Sequence, residues 1–237
     1  MLTLEKKMAR IERAKQHAAA DRLRSGYYSD DADHSRGCSV GCDAIDIAGW
    51  QSQFDNPHAI VAEHDGTPEW LEYLRDAVFE NLPKEDRARW HVELAEALPV
   101  GVDMQPAYHA ICAAMLQQTL EHRPTWDDSY GVQVEAAIRQ VIAYHSDPTD
   151  IARNAARNAG RSAARNAQGA AWSAARNAAS NAAWSAAWSA ARSAGNAGDA
   201  AGNAAGCAAR SAADTVESAA WRRIAATVIG ILSAQAQ

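Results

Sequence analysis

Apolar positions along the first 150 residues recur at steps of three and four. Leu4, Met8, Ile11, Ala18 and Leu23 line one stripe over about residues 4–25, the spacing of one α-helical face. Gly26 stands where a left-handed cap would end that helix. Residues 27–56 lose the pattern, because Ser29, Asp30, Asp31, Asp33, Ser35, Gly37, Ser39 and Gly41 interrupt it. This stretch reads as a long ordered loop or a series of short turns, and such a loop inside a compact domain is ordinarily functional or cross-linked. Helical punctuation returns at Asn56-Pro57 and Thr67-Pro68-Glu69, each a capping residue ahead of proline at the first helical position. The helix after Pro68 offers Trp70, Leu71, Leu74, Val78 and Phe79 to a core and ends at Leu82-Pro83. The next, over about 84–98, offers Trp90, Leu94 and Leu98. Asp103 caps a further helix with Tyr108, Ile111, Cys112, Met115 and Leu116 inward, and Val134, Ile138, Val141 and Ile142 mark another up to about His145. No stretch alternates, or gathers Val, Ile and Thr, as strands do. The expected class is all-α, an irregular helical domain first.

From residue 149 the period becomes four. Arg153-Asn154-Ala155-Ala156 and Arg157-Asn158-Ala159-Gly160 open a repeat whose large members continue at 161 and 165, then 172, 176, 184, 188 and 192. Four residues turn an α-helix by about 400°, so the stripe drifts by about 40° per repeat. Steps of seven and three residues, beside Gly169 and beside Gly195 and Gly198, correct the drift. They are either stutters in one helix or turns. One helix over 150–220 would run about 105 Å, against about 38 Å for a 150-residue domain. A folded bundle or hairpin, with helices over about 149–167, 170–194 and 203–232, is therefore favoured over a rod. Gly195, Gly198, Gly202 and Gly206 also form a glycine face suited to close helix contact, within the chain or between copies in a homo-oligomer.

Charge divides the chain at the same place. The formal net charge of −6 over 237 residues combines −12 over residues 1–150 with +6 over 151–237, where there are nine Arg, no Lys and 35 Ala. All eight His precede residue 146. Two domains follow: an acidic helical one over 1–148 carrying a Cys/His loop, and a basic Ala-rich repeat over 149–237. The longest mainly apolar run, 224–232, is too short to span a bilayer. Met1-Leu2-Thr3-Leu4-Glu5-Lys6-Lys7 has no signal-peptide core, and four cysteines are no disulfide scaffold. A cytoplasmic protein without membrane contact is expected.

Three groups of residues can carry chemistry. His34, Cys38 and Cys42 at four-residue spacing, followed by His58 and His64, supply the thiolate and imidazole donors of a zinc site; Cys38, Cys42, His58 and His34 are its candidate ligands. The competing readings are small buried cysteines in tight turns, or a reactive thiol at Cys38 or Cys42 beside His58. In the tail, Trp172, Arg176, Trp184, Trp188 and Arg192 form a candidate binding surface. Arg with interleaved aromatics can grip phosphates and stack bases, but the +6 tail can equally dock on the −12 domain. Asp30, Asp31 and Asp33 near His34, with Asp127 and Asp128, read as solvated loop acids more readily than as a cation site. Cys112 and Cys207 read as packing residues.

Several segments together resemble a group of Ala-rich bacterial and phage proteins of uncharacterised function. They are Ala20-Asp21-Arg22-Leu23 with Gly26-Tyr27, Gly37-Cys38-Ser39-Val40-Gly41-Cys42, His58 with Glu63 and Gly66-Thr67-Pro68, Leu98-Pro99-Val100-Gly101-Val102-Asp103, and the terminal Ala/Arg/Trp repeat. The resemblance covers most of the chain, with Asp65 departing from an apolar position, and implies a mobile-element setting in a host cytosol. No phosphate loop, nucleophile elbow or His-Glu-x-x-His motif is present. The leading expectation is a non-enzymatic protein that binds or sequesters a protein partner, a host or rival-phage component, through the Trp/Arg surface. A zinc- or thiol-dependent enzyme centred on Cys38, Cys42 and His58 stands second. Nucleic-acid binding by the repeat stands third.

Overall fold

A computed structural model describes residues 1–26, 36–49, 56–121, 129–150, 152–156, 158–159 and 217–235. His34, Trp172, Arg176, Trp184, Trp188 and Arg192 lie outside the described residues, as do the acidic residues 30–33 and 127–128 and most of the four-residue repeat. Among the described residues the protein is all-α, and its one extended pairing is an isolated parallel bridge between Leu23 and Gly37. The helices are α1 (Leu4–Ala19), α2 (Ser39–Ala48), α3 (Pro57–Asp65), α4 (Glu69–Asn81), α5 (Lys84–Ala97), α6 (Gln105–Glu121), α7 (Ser129–Ser146) and α8 (Glu217–Ala234). No described helix is long and apolar enough to cross a membrane.

The chain forms two compact units, Met1–Ala107 with Ala225–Gln237, and Tyr108–Ile224. In the first, α1 packs on α5, α2 on α3 and α4, and α3 on α4. Trp70, Leu71, Leu74, Val78 and Phe79 of α4 are buried with Trp90 and Leu94 of α5, as the helical spacing predicts. In the second, Leu116, Leu120, Val134, Ile138, Val141 and Tyr144 share one core with Ala156.

Three local outcomes differ from the sequence pattern. First, α1 faces the other way. Leu4 and Met8 are 65% and 57% exposed, whereas Arg10, Ala14 and His17 are buried. The helix also ends at Ala19, because Asp21 takes a left-handed turn at φ 51°, a conformation a short polar side chain tolerates. Second, the stretch read as loop contains α2. Ser39, Val40, Gly41, Cys42, Asp43 and Ala44 are buried in succession, so the Ser and Gly that read as loop signals stand inside a packed helix. Cys38 caps it, its sulfur accepting from Gly41 N at 3.3 Å. Third, Pro68 is the cap rather than the first residue of α4, and the Thr67 hydroxyl turns inward to donate to Glu72 Oε1 at 2.7 Å. Asn56 does cap α3, accepting from Ala59 N at 3.1 Å. That helix ends at Gly66 with φ 76°, where a Cβ would lie 2.6 Å from the Met1 carbonyl oxygen, so the site needs glycine for both conformation and space.

Candidate functional site

The first unit holds two clusters of ionisable side chains with opposite electrostatics. The larger is built by five helices. α1 contributes Arg10, Arg13 and His17, spaced three and four apart and so on one face. α2 contributes Asp43 and Asp46, α3 ends in Asp65, α4 adds Glu72 and Arg75, and α5 adds His91. Arg10 grips Glu72 with both terminal nitrogens, at 2.8 and 3.1 Å, and reaches Asp65 at 3.1 Å. Arg13 donates to Asp43 and Asp65, each at 2.7 Å. Arg75 donates to the other oxygen of Asp43 and pairs with Glu72 at 3.1 Å. Three guanidinium groups thus face three carboxylates, and all but Arg13 are fully buried. Burial alone would raise the Glu72 carboxyl, but Arg10 and Arg75 hold it down to about 2. Against the same burial, Arg75 and Arg13 hold Asp43 well below the usual carboxylate range.

Two neutral imidazoles complete this cluster. His17 Nε2 lies 2.8 Å from Asp46 Oδ2. A carboxylate can only accept, so this nitrogen carries the proton and His17 Nδ1 is a lone pair. It accepts from His91 Nε2, 3.3 Å away, and His91 Nδ1 is left buried without a protein partner. Burial lowers both imidazoles, His91 to about 3. His17, Asp43 and His91 offer donor atoms within 4.8 Å of one another, yet Asp43 is already held by two guanidinium groups and the His17 lone pair is taken. A cation there would meet Arg13 and Arg75. The cluster is an ion-pair lock for the helices.

The smaller cluster lies where α2, α3 and α4 meet. Cys38 Sγ and carboxylate oxygens of Asp76 and Glu80 lie within 4.8 Å of one another. His58 Nε2 is 3.4 Å from Asp76 Oδ2, and its ring stacks on Tyr73 at 4.0 Å between centroids. Glu80 accepts from Gly26 N at 2.6 Å. Burial, then the charge of Asp76 and a hydrogen bond to it, raise the Cys38 thiol well above its usual range; burial and Asp76 also raise Glu80. Of the sequence-derived ligands, Cys38 and His58 therefore converge on one carboxylate. Cys42 does not join them: its thiol points to the backbone carbonyls of Gly37 at 3.5 Å and Arg22 at 3.6 Å, and burial pushes it up to about 12. Cys112 is a buried packing residue.

Asp76 and Glu80 carry a signal in the sequence, two acids four residues apart on a helix that follows His58. Arg10, Asp43, Glu72 and Arg75 carry a weaker one, since each interrupts or borders an apolar face.

The third feature is on the surface. Met1, Leu4 and Met8 are exposed, with Ile11 half-buried beside them. A cleft of about 430 Å³, whose walls include Met1, Gly66, Thr67, Trp70, Val102 and Met104, opens at the Met1 end of this stripe. In the second unit, His109 Nδ1 and His145 Nδ1 are 3.0 Å apart, among Tyr108 and Tyr144. Compared with protein families, with curated proteins and with solved structures, the chain finds no match.

Proposed function

We propose that the protein is a non-enzymatic binding protein that docks an amphipathic helix of a protein partner along α1. The observation that carries this is the outward stripe Leu4–Met8–Ile11, spaced four and three residues apart on a helix whose inner face is locked by charge. That spacing suits a second helix packed in the 3-4 manner at about 20°. Glu5 and Glu12 fall at neighbouring angular positions beside the stripe on a helical projection, so the partner helix carries basic residues at its matching edge. Met1 is shared by the stripe and the cleft, which gives the partner's apolar anchor residue a pocket of the kind that concentrates binding energy.

The Cys42 thiol supports the non-enzymatic side of this reading. Cys42 is buried against backbone carbonyls and held protonated, the opposite of an activated nucleophile. The resemblance to phage and bacterial proteins supplies a setting in which the partner is a host or rival-phage component in the cytoplasm. The Trp/Arg repeat then adds a second contact surface outside the described residues.

The test is binding of full-length protein to synthetic amphipathic helices with basic, neutral or acidic flanks, read by fluorescence anisotropy. Basic-flanked helices should bind best, and the double variant L4E/M8E should lose that binding while keeping the melting temperature. Equal binding by L4E/M8E, or no flank preference, overturns the proposal. Concentration-dependent dimerisation abolished by L4E/M8E overturns it too, because it assigns the stripe to a second copy of the chain.

A further inference from the structure

The smaller cluster has a use of its own, independent of the α1 surface. We infer that Cys38, His58, Asp76 and Glu80 bind one zinc ion, a structural site joining the start of α2 to α3 and α4.

The arrangement meets the requirements of such a site one by one. Four donors of zinc-binding type come from three helices: the thiol from the cap of α2, the imidazole from the first turn of α3, and two carboxylates from α4. Asp76 and Glu80 are four residues apart and so share one helical face. Tetrahedral zinc, with bonds of about 2.0–2.3 Å, separates its donor atoms by about 3.6 Å. His58 and Asp76 already stand 3.4 Å apart, and Cys38, Asp76 and Glu80 lie within 4.8 Å of one another. His58 reaches the group through Asp76, so closing around an ion requires its imidazole and the Cys38 thiol to draw in toward that carboxylate.

The charge is also incompletely compensated. Two carboxylates lie together, and Asp76 Oδ1 is buried with no protein hydrogen-bond partner, a situation natural structures normally resolve. The nearby guanidinium of Arg87 is turned to the Ser25 hydroxyl and the carbonyls of Glu80 and Leu82 instead. A divalent cation supplies the missing positive charge. Thiolate and imidazole among the donors select zinc over magnesium or calcium, which take oxygen ligands. With four protein ligands the site is closed, hence structural rather than catalytic.

The experiment uses full-length protein stripped of metal by chelator. Zinc affinity is measured by competition with a chromophoric chelator, and cobalt is added separately to read thiolate coordination from its charge-transfer band. Expected are one zinc per chain, a cobalt–thiolate band lost in C38S, and affinity falling by roughly 100-fold or more in H58Q and in E80Q, beyond the range typical of losing a supporting group around a ligand. C42S should leave both readouts unchanged, and magnesium should not compete. Absence of stoichiometric zinc, a cobalt band that survives C38S, an effect of C42S equal to that of C38S, or full affinity in E80Q overturns the assignment. Metal-free circular dichroism confirms that each variant is folded. Should C38S not fold, E80Q decides, since Glu80 is half-buried and its carboxylate accepts from Gly26 N.

Discussion

Asp43 and Asp76 both stand where helices of the first unit meet, and their surroundings are opposite. Asp43 is held by Arg13 and Arg75. Asp76 has a thiol, an imidazole and a second carboxylate around it, with one oxygen unmatched. A carboxylate taken out of water needs compensation, in full at the buried Asp43 and in part at the half-buried Asp76, because desolvation of a lone charge costs several kcal/mol. The protein supplies it internally at Asp43, which makes that cluster a lock. At Asp76 no guanidinium is bonded among the described residues, and the zinc ion proposed above would supply the compensation there. The difference shows why a count of metal-type donors is a poor guide. The donor atoms of His17, Asp43 and His91, like those of Cys38, Asp76 and Glu80, lie within 4.8 Å of one another, and the groups differ in the charges around them.

The comparison breaks most visibly by mutation. Asp43→Asn leaves Arg13 and Arg75 facing a neutral amide and should cost about 3–5 kcal/mol in urea unfolding, as loss of one partner of a buried pair does. Asp76→Asn, without metal, should not destabilise the fold and should raise its stability, since it removes a half-buried carboxylate with one unmatched oxygen. Equal costs at the two sites would remove the distinction between the two clusters.

Zinc comes next in size. At a free concentration about 100-fold above its dissociation constant it should add about 2.7 kcal/mol to unfolding stability. Glu80→Gln should abolish that gain, and His91→Gln should leave it intact. A gain that depends on His91 would move the metal to the larger cluster.

Acid separates the clusters more gradually. The folded pKa values of His17 and His91 are depressed from the usual 6.5, that of His91 to about 3. The unfolded chain therefore binds protons that the folded one does not. The stability held by these neutral imidazoles is complete above about 6.5 and is lost as pH falls toward 3, at about 1.4 kcal/mol per pH unit for each fully differing group. Below the usual carboxylate value of 4.5, Glu72, held at about 2, extends the loss. Urea unfolding at a series of pH values should show this slope, and His91→Gln should flatten it by one proton's worth. An unchanged slope would mean that His91 is not a buried neutral base.

The smallest effect on stability belongs to the surface. L4E/M8E should alter unfolding free energy by no more than about 0.5 kcal/mol, because both side chains are already largely in water. A loss of several kcal/mol would show that the stripe is covered within the chain.

Much of this architecture is written in local pattern. The all-α class, the start of α3, the end of α4, the span of α5 and the inner faces from Trp70 to Leu116 follow from spacing and capping residues, because those helices bury one apolar face and expose the other. Cys38 and His58 were legible as donors for the same reason that zinc sites are recognisable at all: their atoms suit few other tasks. Two features escaped the pattern. In α2 the residues that read as turn signals, Ser39 and Gly41, are buried in the first turn of a packed helix together with Asp43 of the next turn. α1 reverses its expected sense, because Arg10, Arg13 and His17 become acceptable in the interior once Asp43, Asp65 and Glu72 arrive from three other helices. Hydrophobic periodicity is a property of one segment and can be read along the chain. Charge compensation is a property of several segments brought together, so tertiary structure alone decided which face of α1 turned inward and which carboxylates were paired with guanidinium groups.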